Sequence, residues 1–175
     1  MKLSIVIPCY NEEATIKEII QKIKIQENID KEIIVVDDYS LDGTRSILDK
    51  DLKNDIQKII LNPKNDSKGY SIRMGIKEAT GDFILIQDAD LEYDPSDYEK
   101  LLSPLKDGIA DVVYGSRFIG TSERRVLYFW HTIGNKFLTL LSNIFSNLNL
   151  TDMEVGYKVF RSNVLKELAL KENRF

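Results

Sequence analysis

Short apolar runs of strand length alternate with segments of helical period along this chain. The runs are Leu3 to Pro8, Ile33 to Val36, Lys58 to Leu61, Phe83 to Ile86 and Val112 to Tyr114. A run that is apolar at nearly every position has to be buried on both faces, and a parallel sheet covered by helices on both sides provides that. Between the runs, Ile16, Ile19, Ile20 and Ile23 mark one face of a helix opened by Asn11-Glu-Glu. Asp42-Gly43-Thr44 punctuates the chain before a short helix through Ile47 and Leu48, and a helix from about Tyr70 to Ala79 ends at Thr80-Gly81. Asp94-Pro95 is a helix start, with Asp as the cap and Pro pre-set at the first position, and the helix is expected to reach Lys106. The pattern predicts an α/β fold, a three-layer sandwich with a mainly parallel central sheet. With 175 residues, 43% of them hydrophobic, the chain can bury one core, so residues 1–175 are expected to form a single domain.

Beyond Gly115-Ser-Arg117 a polar loop runs through Arg124 and Arg125. A long apolar segment from Val126 to Leu148 follows, in which Ile133, Phe137, Leu140, Leu141, Ile144, Phe145 and Leu148 keep helical spacing. Val155 to Phe160 can add a strand, and Val164, Leu165 and Leu168 return to helical spacing. Charged residues make up 30% of the chain with a net charge of −4, so there is no basic field for nucleic acid. The one cysteine, Cys9, has no partner for a disulfide or a metal, which fits a reducing cytoplasm. The first apolar run is too short for a signal segment, and no stretch approaches the roughly 18 unbroken apolar residues of a membrane span.

In open α/β sheets ligands bind outside the carboxyl ends of the strands. Four such loops carry unusual polar residues: Pro8-Cys-Tyr-Asn-Glu12, Asp37-Asp38-Tyr-Ser40, Asp88-Ala-Asp90 and Gly115-Ser-Arg117. Asp88 and Asp90, two apart in a segment expected to be extended, can face one way and hold Mg²⁺ or Mn²⁺, with Glu92 as a third oxygen ligand or a water contact. A second match, Asp49-Lys-Asp51, falls on a predicted surface helix and reads as solvated charge. Asp37 and Asp38 end a buried strand, where they either meet a ligand such as a base or shape the turn before Asp42-Gly43. Lys68 and Gly69 can serve a phosphate, as can Arg117, whose guanidinium could equally make a surface ion pair.

These residues together resemble glycosyltransferase family 2, in its dolichol-phosphate mannosyltransferase and polyprenyl-phosphate glycosyltransferase branch. The matching segments are Val6-Ile-Pro-Cys-Tyr-Asn-Glu12, Val35-Val-Asp-Asp38 with Asp42-Gly-Thr44, Asn65 with Lys68-Gly69, Ala79-Thr-Gly-Asp82, Gln87-Asp-Ala-Asp-Leu-Glu92 with Asp94-Pro95, Gly115-Ser-Arg117, Gly134-Asn135, and Thr151-Asp152 with Gly156-Tyr-Lys158. The resemblance implies the nucleotide-diphospho-sugar transferase fold, a nucleotide-diphospho-sugar donor, inverting transfer of a hexose and a divalent metal. It implies a donor set of Pro8, Tyr10, Glu12, Val36, Asp37, Asp38, Lys68, Gln87, Asp88 and Ala89, and a metal set of Asp88, Asp90 and Glu92. Arg117, Arg124 or Arg125, and Asn135 are expected at the acceptor phosphate. A polyprenyl phosphate acceptor puts the protein at the inner face of the membrane, where Val126-Leu-Tyr-Phe-Trp130 beside the arginines would touch lipid, complete the core or join a homodimer. A phosphate acceptor is already an anion and favours Arg117 over a base. A sugar hydroxyl would instead need a base, and Asp152 is the candidate, so the expected catalytic set is Asp90, Arg117 and Asp152. A nucleotide-sugar-binding module without turnover is the reading from another class. Tyr39 departs from the small residue common after the paired aspartates, and the family's further C-terminal segment is not within residues 1–175.

Overall fold

A computed structural model describes residues 1–116 and 129–173, apart from the side chain of His131. The strands are β1 (Leu3–Cys9), β2 (Lys31–Asp37), β3 (Lys58–Leu61), β4 (Phe83–Ile86), β5 (Val112–Tyr114) and β6 (Lys158–Arg161). The helices are α1 (Ile16–Ile25), α2 (Thr44–Lys50), α3 (Lys68–Glu78), α4 (Tyr98–Lys106), α5 (Phe129–Ser146) and α6 (Ser162–Glu167). One six-stranded sheet has the order β3-β2-β1-β4-β6-β5. β1 pairs in parallel with β2 and β4, and β2 with β3, whereas β6 runs antiparallel to both β4 and β5. The expected α/β sandwich with a mainly parallel sheet is what the chain forms, and the segment near Val155 to Phe160 joins the sheet reversed.

Side chains of a strand alternate between faces, and the core divides accordingly. Ile5, Ile7, Ile33, Val35, Phe83, Leu85 and Val159 pack with the buried face of α1 and with Leu101, Leu102 and Leu105 of α4. Val6, Ile34, Val36, Ile84 and Ile86 pack on the other face with Ile76 of α3 and Leu165 of α6. Helix α3 approaches β1 closely because Gly75 offers no side chain, and a Cβ there would lie 2.3 Å from Val6 Cγ1. The turn before α4 forms as expected, with Asp94 accepting a hydrogen bond from the Ser96 amide at 2.8 Å. Asp49 and Asp51 are ion-paired on the surface with Lys53 and Lys17.

Helix α5 departs from the ordinary amphipathic pattern. Among its described side chains the buried ones are the polar Asn135 and Thr139, while Phe137, Leu140, Ile144 and Phe145 are exposed, Phe145 at 87%. The polar stripe Asn135, Thr139 and Asn143 recurs at intervals of one turn and grips the following segment. Asn143 pairs with both the amide and the carbonyl of Leu150 at 2.8 Å, and Thr139 Oγ1 accepts from the Met153 amide at 3.2 Å.

At the amino edge of the sheet, Glu32 is buried and accepts from Lys2 Nζ at 2.6 Å, Ser4 Oγ at 2.5 Å, and the Thr80 amide and hydroxyl at 2.6 and 2.7 Å. This carboxylate ties β1, β2 and the turn entering β4 together. Burial opposes its charge, but the hydrogen bonds from Lys2, Ser4 and Thr80 prevail and lower its pKa from 4.5 to about 2. A carboxyl with a depressed folded pKa contributes stability above its unfolded pKa and loses it as pH falls toward the folded value. Wild-type stability is therefore expected to decline between pH 4.5 and about 2 in part through this group. In urea unfolding across that range, Glu32→Gln should be less stable than wild type at pH 7, and the gap should narrow as pH falls.

Candidate active site

The strand order makes β1 the point from which the chain builds outward in both directions, first to β2 and β3 and then to β4. Loops leaving β1 and β4 therefore diverge, and the crevice between them is the topological switch point where α/β sheets take ligands. A cavity of about 300 Å³ opens there, lined by Pro8, Cys9, Tyr10 and Glu12 after β1, Asp38 after β2, Asn65, Ser67, Lys68 and Ser71 at the amino end of α3, and Asp88, Ala89 and Asp90 after β4. Its lining contains Pro8, Tyr10, Glu12, Asp38, Lys68, Asp88, Ala89 and Asp90 from the sequence reading. Four non-glycine residues around it hold positive φ: Asn11, Tyr39, Ser67 and Leu91, between 58° and 76°. Such backbone strain concentrates at ligand sites.

The pleat separates the two adjacent aspartates. Asp37 falls on the α2 side, fully buried, where its carboxylate accepts from Arg45 Nε at 2.5 Å and the Ser40 amide at 3.2 Å. Asp38 falls on the α3 side and accepts from Asn62 Nδ2 at 2.8 Å and from the Asp66 and Ser67 amides at 3.0 and 2.8 Å. Asp38 thus faces the cavity and shapes its wall, whereas Asp37 holds the loop beneath it. Arg45 also lies 5.1 Å from the Tyr39 ring centroid, so the departure at Tyr39 is accommodated by a cation–π contact. Burial first, then the Asp37 charge, pushes the Cys9 thiol pKa up, which leaves it an inert part of the wall.

The same alternation splits Gln87 from Asp88. Gln87 is buried under α4, accepting from Tyr98 Oη at 3.0 Å and donating to the carbonyls of Asp88 and Tyr93 at 3.0 and 3.3 Å. It braces the Asp88–Tyr93 loop and does not line the cavity. Val36 likewise belongs to the core beneath. Asp88 Oδ1 meets Lys68 Nζ at 2.6 Å, and Asp90 accepts from the Glu92 amide at 3.0 Å. A turn, in place of the expected extended segment, carries Asp90 to the cavity. The loop is held from the other side by Gly156, whose amide donates to Tyr93 Oη at 2.9 Å and where a Cβ would stand 2.7 Å from Asp88 Oδ2. Tyr157 stacks on Tyr93 at 4.9 Å and donates to the Asp94 carbonyl at 2.9 Å.

Glu92 lines a neighbouring, larger groove that shares Lys68 and Asp88 with this cavity. Among the described residues no three Asp, Glu, His or Cys converge as metal ligands, so Asp88, Asp90 and Glu92 do not form a ready triad. Two hard carboxylates at the cavity still suit a divalent ion that completes its shell with substrate phosphate oxygens and water, the usual habit of Mg²⁺. Asn135 and Asp152 are brought together outside the lining of this cavity: Asn135 Nδ2 donates to Asp152 Oδ1 at 3.2 Å and to Glu154 Oε2 at 2.9 Å, and Asp152 is buried. Arg117, Arg124, Arg125 and the Val126 to Tyr128 part of the aromatic segment lie outside the described residues. The sequence reading did not single out Ser67, Ser71 or Asn62, because Ser and Asn in a polar loop look the same whether they bind a ligand or close a turn.

The mostly parallel six-stranded sheet, with its cavity at the switch point, is the fold of solved glycosyltransferases. TarS of S. aureus superposes with a TM-score of 0.67 at 25% identity, over 95% of this chain and 49% of that one. Glucosyl-3-phosphoglycerate synthase of Mycobacterium tuberculosis, solved with Mn²⁺, UDP and glucosyl-3-phosphoglycerate, shares the fold with a TM-score of 0.73 at 21% identity, over 95% of this chain and 59% of that one. The chain belongs to the glycosyl transferase family 2, which it matches over residues 4–169. It is 34% identical over 120 residues to a dolichol-phosphate mannosyltransferase of Pyrococcus furiosus, covering 68% of this chain and 34% of that protein. It is 32% identical over 162 residues to the low-salt glycan biosynthesis hexosyltransferase Agl6 of Haloferax volcanii, covering 90% of this chain and 38% of that protein. The chain thus spans little more than a third of the length of these two relatives.

The Asp37–Arg45 pair makes a prediction independent of turnover. Arg45→Met leaves a fully buried carboxylate with only an amide and a weak thiol contact, and should cost about 3 kcal/mol of stability in urea unfolding. An unchanged midpoint would show that the pair does not hold this loop.

Proposed function

We propose that residues 1–175 are the catalytic domain of a glycosyltransferase that moves a hexose from a nucleotide-diphospho-sugar to a polyprenyl phosphate with inversion. The observation that carries the reading is the meeting of Lys68, Asp88 and Asp90 in the cavity at the switch point, beside the amino end of α3. A helix amino end and an ammonium group favour a diphosphate, while the loop after β1 presents the exposed Tyr10 ring to a nucleoside. Asp88 and Asp90 would hold Mg²⁺ or Mn²⁺. Held there, such an ion would supply neutralisation of charge on the leaving nucleoside diphosphate. Lys68 is positioned to add to that neutralisation once the diphosphate shares it with Asp88. An acceptor phosphate oxygen attacks the anomeric carbon as the bond to the nucleoside diphosphate breaks, giving the lipid-linked sugar phosphate and free nucleoside diphosphate. A phosphate monoester, with its second pKa of about 6, is an anion at neutral pH and needs no general base. Arg117, with Arg124 or Arg125 and Asn135, is assigned to it from the sequence. Asp152 takes the role of base only for a hydroxyl acceptor, and its hydrogen bond from Asn135 would hold it in place.

The outward apolar face of α5 supports a membrane-bound acceptor. Phe129 and Trp130 pack edge to face at 5.2 Å and are 69% and 78% exposed. No helix among the described residues is long and apolar enough to cross a membrane, so the helix would lie along the surface and the protein would sit peripherally at the inner face. Co-sedimentation with anionic liposomes should be strong for wild type and largely lost in a Trp130→Glu, Phe145→Glu double variant. Association of two copies in place of liposome binding would turn the reading to a homodimer.

Calorimetric titration of GDP-mannose, UDP-glucose and UDP-N-acetylglucosamine, each with Mn²⁺ and with chelator, tests the donor site. One donor should bind with a marked dependence on Mn²⁺, and Asp90→Asn should abolish metal-dependent transfer while leaving the unfolding midpoint unchanged. Near-normal transfer by Asp90→Asn would overturn the metal assignment. Binding without turnover toward any phosphate or hydroxyl acceptor would favour the binding-module reading.

A further inference from the structure

Strand β6 is reversed relative to β4, so its first residue, not its last, lies at the active edge. That residue is Lys158, in register with Ile86, the last residue of β4, and with Tyr114, the last of β5. Its neighbours fix the direction of its side chain. Val159 packs on the α4 side, so Lys158 shares the α3 side with Asp88 and Lys68. The ammonium is half-buried, lies 4.9 Å from the Tyr114 ring centroid, and has no carboxylate at ion-pair distance among the described residues. Burial, then Lys68, lowers its pKa, and Asp152 and Asp88 act against that. A partly buried ammonium without an anionic partner is a costly arrangement that a bound anion relieves.

Lys158 does not line the donor cavity. It lines the groove of about 820 Å³ that meets that cavity at Lys68 and Asp88. This volume is within the usual range for ligand sites. One wall of the groove is apolar, with Ile72, Ile76, Ile86, Phe160 and Leu165, and charged residues including Arg73, Glu154 and Glu172 line the rest. An anionic head at Lys158 would stand at the junction of the two cavities, and an apolar tail would run along the wall.

We infer that Lys158 receives the phosphate head of the acceptor and that the adjoining groove takes its first isoprenoid units. The inference rests on the polyprenyl phosphate reading above and adds a residue and a path to it.

The test uses Lys158→Met and Lys158→Arg in the whole protein, with donor affinity by calorimetry and transfer kinetics on a short polyprenyl phosphate. Lys158→Met should leave donor affinity within about twofold and raise the acceptor KM by about tenfold to a hundredfold, the usual effect of losing a charge-assisted hydrogen bond. Lys158→Arg should recover most of it. Direct binding of geranyl phosphate, inorganic phosphate and geraniol separates head from tail. Geranyl phosphate should bind more tightly than inorganic phosphate, geraniol weakly, and Ile72→Glu should weaken geranyl phosphate alone, which serves if Lys158→Met does not fold. Equal binding of geranyl and inorganic phosphate, an unchanged acceptor KM in Lys158→Met, or loss of donor affinity in its place would overturn the inference. Wild-type protein that transfers to no polyprenyl phosphate would overturn the functional reading, and unaltered geranyl phosphate binding by Lys158→Met would then overturn the role of Lys158 as well.

Discussion

Parallel pairing of β1 with β2 on one side and β4 on the other is the constraint from which the site follows. The chain cannot leave β1 toward both neighbours at once, so the loops after β1 and β4 part at their carboxyl ends and leave a crevice. Everything polar that the cavity needs is carried on those two loops, on the end of β2, or on the start of α3. The buried Glu32 network at the opposite edge holds the same three elements together, so the strands that support the site are pinned where the site is not.

The period of two in a strand then distributes the chemistry. Asp37 and Asp38 are neighbours in sequence and work on opposite faces, one neutralised by Arg45 under the loop and the other holding the cavity wall. Gln87 and Asp88 divide in the same way, into a brace beneath the acidic loop and a carboxylate at its surface. A single-residue shift in register would exchange these roles and bury the wrong charge, which is why the hydrophobic alternation of β1, β2 and β4 also fixes the site. Gly156 and Tyr157 complete the arrangement by packing against the Asp88–Asp94 loop, and the absence of a side chain at 156 leaves Asp88 its room.

Helix α5 shows the opposite economy to α1. In α1 the apolar stripe faces the sheet, whereas in α5 the stripe of Asn135, Thr139 and Asn143 faces the protein and the apolar residues face outward. Hydrogen bonds, in place of hydrophobic burial, fasten this helix to the segment that carries Asp152. A lipid surface would give the exposed face the burial that the fold does not.

Much of this was legible in the residues. The bounds of β3, β4 and β5, the buried face of α1, the Asp94 cap and the surface placement of Asp49 and Asp51 follow from period and local turn chemistry, which act between residues close in the chain. The family was legible too, because its short motifs mark loops whose positions the strand pattern already gives. Partners supplied by other elements were not: Arg45 for Asp37, Asn62 for Asp38, Tyr98 for Gln87, nor was the outward turn of α5, since a helical stripe shows that two faces differ and not which one meets the protein. Lys158 opens its strand, and a residue at the start of a strand reaches the active edge only when that strand runs antiparallel to its neighbours, which local pattern does not reveal. The sequence alone determined the elements, the core and the class of chemistry. The tertiary structure decided which face each charge took and where two cavities meet, because those depend on strand direction and pairing across many tens of residues.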